Sequence, residues 1–140
     1  MGTSGILKLW LFGDLLNNSV ALGAYPSVLF GATTILTGSS GTLALPASAS
    51  RRYWAAMVTL QNVSATNSQR VSAVHWMGSP TGDFSFRETG ASVVVQTAQA
   101  YGTTAEASSA ALTLAYRFRL CSTATTVDMQ LRHAYLELTQ

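Results

Sequence analysis

Apolar and polar residues alternate one by one over much of the chain's second half. From Leu112, the even positions Leu112, Leu114, Tyr116, Phe118 and Leu120 are apolar, and Thr113, Ala115, Arg117, Arg119 and Cys121 stand between them. A period of two marks a strand with one buried face. After the hydroxyl-rich connector 122–126, Met129, Leu131, His133, Tyr135 and Glu137 alternate with Gln130, Arg132, Ala134, Leu136 and Leu138. The apolar side of this last run changes near Tyr135, which predicts a bulge, or a strand end covered by something else. The two runs are expected to pair with each other.

The same period appears earlier. Between Arg52 and Val63, Trp54, Ala56, Val58 and Leu60 share one side, and Tyr53, Met57, Thr59 and Gln61 the other. From Arg70 to Met77, Val71, Ala73, His75 and Met77 oppose Ser72, Val74 and Trp76. The turn cluster between these runs makes them a hairpin. Gly78, Pro80 and Gly82 predict a further turn, followed by a short strand with Phe84 and Phe86 on one face. A valine-rich strand is expected over 91–97. Thr97–Ala110 reads as a long irregular loop, and loops of that length in compact domains commonly meet a partner. Short strands at regular spacing, with no helical period after Leu45, predict an all-β, antiparallel β-sandwich.

The first third is patterned differently. The run Leu7–Phe12 is apolar on both faces, the run Ser27–Leu36 is apolar with Gly31 in its middle, and glycines punctuate the segment. Such a segment cannot hide its own surface, so it must lie on the sandwich, on a neighbouring subunit or on a larger scaffold. The expected division is an extended apolar N-terminal arm over 1–45 and a sandwich domain over 46–140. Removing residues 1–16 is then expected to leave the sandwich folded. Lys8 and Asp14 interrupt the first apolar run, which argues against a signal peptide or a membrane span.

Composition sharpens this picture. Charged residues make up 10% of the 140, against roughly 25% in an average soluble protein. Mixed surface charge normally keeps domains apart in solution, so a surface this neutral suits one covered by partner subunits. The net charge of +2 is scattered, without the clustered Lys and Arg that nucleic-acid binding needs. Cys121 is the single cysteine, so no internal disulfide forms, and on a strand it is expected to be half-buried.

Catalytic chemistry finds little support. No nucleophile elbow is present, and His75 and His133, the only candidate bases, sit in strands where packed, hydrogen-bonded histidines are expected. The six acids do not cluster, apart from Asp83 with Glu88. Two histidines and one cysteine without paired spacing hold no metal. The chain is therefore expected to be no enzyme, with no cofactor and no metal. The triplets starting at Asn17 and Asn62 match the glycosylation sequon. Arginine is more telling, because its planar fork suits protein interfaces. Arg117 and Arg119 share a polar strand face, and Arg132 lies on the strand expected beside it. Tyr101, in the expected loop, is the best aromatic candidate for an outward contact.

A short chain rich in Ser, Thr and Ala, with an apolar extended beginning and hairpins ending on a strand such as LRHAYLELTQ, resembles small virion proteins of tailed bacteriophages. Those are capsid decoration (cement) proteins and fibre-tip domains. The resemblance covers roughly 45–140. It implies a jelly-roll-like sandwich, a homo-oligomer with a trimer favoured, and a place on the capsid surface of the virion against the major capsid protein. Nucleic acid and membrane are not among the implied partners. Partner contacts are then expected from Leu7, Trp10, Leu11 and Phe12 on the arm, from Tyr101, and from Arg117, Arg119 and Arg132. The runner-up is a fibre-tip module that binds a receptor or glycan through Thr97–Ala110.

Overall fold

A computed structural model describes residues 1–18, 20–38, 43–78, 96–121 and 126–139. All but the first residue of the expected turn at 78–83, the Phe84–Phe86 strand, most of the valine-rich run and the pair Asp83 and Glu88 lie outside them. The strands are β1 (Ile6–Asn17), β2 (Leu22–Phe30), β3 (Thr33–Thr37), β4 (Leu43–Leu45), β5 (Ser48–Asn62), β6 (Gln69–Met77), β7 (Gln96–Thr104), β8 (Leu114–Leu120) and β9 (Val127–Thr139). They form an antiparallel β-sandwich. One sheet runs β7-β6-β5-β1-β9, and the other is built on β2, with β3 and β4 on one side and β8 on the other.

The period-two strands behave as their pattern requires. Trp54, Ala56, Val58 and Leu60 of β5 are buried, and so are Val71, Ala73, His75 and Met77 of β6. β5 and β6 form the expected hairpin, from Trp54 opposite Met77 to Asn62 opposite Gln69. The tyrosine, phenylalanine and leucines of β8 pack from the second sheet against this layer.

Three expectations change. The first 45 residues are woven into both sheets. β1 pairs with β5 along one edge and with β9 along the other. Leu11 and Leu15 of β1 are buried in one core with Leu43, Leu45 and Trp54. Of the three covers open to the apolar segment, the described residues use the sandwich itself, and no boundary falls at residue 45.

The runs on either side of the connector 122–126 do not pair. β8 lies beside β2 and β9 beside β1, so the chain crosses from one sheet to the other between them. Both strands carry one polar side and one apolar side. Alternation alone therefore cannot say whether they are neighbours in a sheet or face each other across a core.

Most of the expected loop is a strand. β7 pairs with β6 from Gln96 to Thr104, and only the stretch from Ala105 onward is irregular. Its weak pattern has a packing cause: a Cβ on Gly102 would stand 2.7 Å from the Ile35 carbonyl oxygen and 2.8 Å from Leu36 Cδ2. β3 approaches so closely that this position excludes a side chain, which removes an apolar marker from the sequence.

The bulge expected in the last strand is present. The register between β1 and β9 shifts between Phe12 and Gly13, opposite His133 and Leu131, which leaves Arg132 as the extra residue. Gly13 makes the site possible, since a Cβ there would meet the Gln130 carbonyl oxygen at 2.0 Å and the Trp54 ring at 2.7 Å. The obstacles are backbone and a buried indole, neither of which can swing aside. Gly13→Ala is expected to cost about 3 kcal/mol, the upper part of the usual overpacking range. A urea melt checks it: a midpoint equal to that of the unaltered chain would show that the bulge can relax.

A candidate interaction face on the five-stranded sheet

Pairing across each ladder places residues on a common face. On β1 the inward set is Leu7, Leu9 and Leu11, which leaves Lys8, Trp10 and Phe12 on the outer face. Trp10 lies opposite Met57 and Tyr135, and Phe12 opposite Ala55 and His133. Through Ala55 the register reaches Trp76 of β6, and through Thr59 and Ser72 it reaches Tyr101 of β7. Trp10, Phe12, Trp76, Tyr101 and Tyr135 thus share one outer sheet face.

Trp10 is the centre of this group. Its ring stacks at 6.3 Å from Phe12 and 6.4 Å from Trp76, with interplanar angles of 2° and 7°. The rings cover Ala55, which is buried although it points away from the sandwich interior. Phe12 also lies 6.3 Å from the exposed His133 ring. Tyr101 is 79% exposed, the most open large side chain of the set. Lys8 and Glu137, on the same outer face, form an ion pair at 3.6 Å.

At one end of the face, the bulge holds a charged group together. Asp14 is buried and receives hydrogen bonds from Arg132 and Arg51, while Arg51 also bonds Asp128. Those bonds, with that of Arg132 foremost, hold the Asp14 carboxyl below the usual carboxylate range against the opposing effect of burial. Arg132 therefore serves the bulge, and its charge is matched inside the chain. Arg117 and Arg119 lie on the outer side of β8, opposite Ser27 and Tyr25 of β2. The three arginines do not form one surface.

The remaining candidates divide in the same way. Leu11 is buried, and Leu7 packs against the core formed by Val28, Phe30 and Leu60, so neither is free to touch a partner. Trp10 and Phe12, suggested as arm residues, and Tyr101, suggested as a loop residue, lie on one sheet face. Trp76 and Tyr135 complete the group; the signal for them was the polar side of the alternation carrying aromatic rings, a waste of solvent-facing positions unless they are used. Cys121 is exposed, not half-buried.

His75 is the packed histidine that was expected. It is buried among Trp54, Tyr116 and Phe118, and its Nδ1 is hydrogen-bonded to the Tyr116 hydroxyl. Both sequon asparagines are buried. Asn17 Nδ2 donates to the carbonyls of Val20 and Leu45, and Asn62 Nδ2 to Gly2 O and Ser108 Oγ, so neither amide is open to a glycan. Among the described residues, no group of three His, Cys, Asp or Glu side chains could hold a metal ion. Comparison with protein-family models, with curated proteins and with solved structures finds no match to the chain in any of the three.

Proposed function

We propose that the chain is a non-enzymatic structural protein of a virus particle, a capsid decoration or cement protein that binds and stabilises neighbouring capsid subunits. The observation that carries this reading is the aromatic outer face of the five-stranded sheet, where the half-buried Trp10 stacks with Phe12 and Trp76 beside the exposed Tyr135. Covering apolar surface yields roughly 25 cal/mol per Å², and tryptophan is among the residues that most often dominate a protein interface. The low charge of the whole surface supports the same reading, because a decoration protein is covered by its scaffold.

The test is co-sedimentation of the purified chain with capsid shells that lack it. Replacing Trp10 and Trp76 together by alanine is expected to weaken attachment by about 2 kcal/mol or more, roughly 30-fold in Kd. Circular dichroism should report an intact fold, since both rings point away from the core. Unchanged attachment would remove the face from the binding site. A second reading, a fibre-tip module that binds a glycan, is favoured by the exposure of Tyr101 on the same face. It predicts glycan binding by the chain alone, abolished by Tyr101→Ala, with no sedimentation on shells.

A further inference from the structure

β9 is the outer strand of the five-stranded sheet, and among the described residues nothing pairs with its free edge. Folds usually protect such an edge with lysine, proline, an unpaired charge or a bulge, because an open ladder invites another strand. Over its 13 residues β9 has neither lysine nor proline. Its formal charges are matched within the chain: Asp128 by Arg51, Arg132 by Asp14 and Glu137 by Lys8. The bulge at Arg132 guards only the first half. From His133 to Thr139 the ladder with β1 is regular.

This regular half is also the half that the sandwich fails to cover. Leu136 and Leu138 pair with Leu9 and Leu7, so they lie on the inward side of the sheet. They are nevertheless 60% and 50% exposed, and Leu131 on the far side of the bulge is 57% exposed. Val127 and Met129 at the start of β9 pack against the core, so the uncovered leucines belong to the later part of the strand. Apolar side chains on an unpaired edge, with no net charge to repel a like strand, mark an association surface.

We infer that β9 is a self-association edge, and that its occupant is β9 of a second copy of this chain, running antiparallel across a twofold axis near Leu136. That axis sets Leu136 opposite Leu136 of the second copy and Ala134 opposite Leu138, so the inward row stays apolar. On the outer side, Tyr135 faces Glu137 and His133 faces Thr139. No two like charges meet. The five-stranded sheets of the two copies join into one continuous sheet. Pairing of identical edges closes at two copies, so this contact gives a dimer where the family resemblance implies a trimer. It does not depend on what the aromatic face binds.

Light scattering of the full chain over a concentration series tests the inference. The expected mass is twice the 14.8 kDa of one chain, and Leu136→Lys, which sets two ammonium groups against each other on the axis, should return it to a single chain. Circular dichroism reports whether that variant remains folded. A second pair of variants keeps the test open if it does not. In a Cys121→Ser background, Leu136→Cys should cross-link two chains on mild oxidation, and Ser109→Cys, exposed on the loop after β7, should not. A monomer at every concentration, a dimer that survives Leu136→Lys in folded form, or cross-linking no faster at position 136 than at 109 would each overturn it.

Discussion

A chain lacking residues 1–16 is expected to lose its cooperative unfolding transition and to behave as a collapsed or aggregating species. Among the described residues, β1 is the strand that joins β9 to the rest of its sheet, because the order runs β5-β1-β9. Its removal strips the ladders from both of its edges at once. Leu11 and Leu15 are buried, and Leu7 and Leu9 pack against the two cores. Burial of each fully enclosed leucine is worth roughly 2–3 kcal/mol, and a domain of this kind is stable by only about 5–15 kcal/mol. The two buried leucines alone therefore account for a large part of the total, before β9 is counted. Thermal melting followed by circular dichroism decides the matter. A truncated chain that still melted in one sharp step would mean that residues 6–17 can leave the sandwich, as a detachable arm would.

That outcome separates two readings of one apolar run, and the reason they compete is physical. A strand with solvent on one side alternates, and β5, β6 and β8 could be read for that reason. β1 carries leucines inward and Trp10 and Phe12 outward, so both of its faces are apolar and the period disappears. Continuous apolar runs of this sort belong to strands covered on both sides. Here stacking of Trp10 with Trp76 supplies outer cover, and the exposed Phe12 shows that the cover is incomplete. β7 hid for the opposite cause, a close approach of β3 that leaves room for glycine alone at position 102. The candidate face was legible one residue at a time, through Trp10, Phe12 and Tyr101. Their gathering was not legible, because it depends on the order β7-β6-β5-β1, and no local pattern encodes which strands are neighbours. The bulge was half legible: the change of apolar side announced it, and the register places it at Arg132, where Asp14 could not have been foreseen as its anchor.

Acid should weaken the fold in a window set by one buried pair. His75 is enclosed by Trp54, Tyr116 and Phe118; its Nδ1 meets the Tyr116 hydroxyl, and its Nε2 has no hydrogen-bond partner. Burial pushes the imidazole down from 6.5 to about 4 and pushes the Tyr116 phenol above its ordinary value, so the tyrosine keeps its proton. The unfolded chain therefore takes up a proton near pH 6.5 that the folded chain refuses until about pH 4. The stability contributed by the neutral ring is complete above pH 6.5 and is lost as the pH falls to about 4. With 1.36 kcal/mol per unit, the loss amounts to roughly 3 kcal/mol, and it levels off below pH 4. Asp14 acts in a separate window. Its carboxyl titrates below the ordinary 3.8 in the fold, so its contribution is present above that value and is lost only at lower pH. Urea unfolding at pH 7.0, 5.5 and 4.5 should show the first loss in the unaltered chain, and His75→Gln, which cannot titrate, should be less stable at pH 7.0 but nearly flat across the window. Equal slopes in the two chains would mean that the histidine accepts a proton inside the core, which requires an acceptor at Nε2, most simply a buried water in place of the apolar wall.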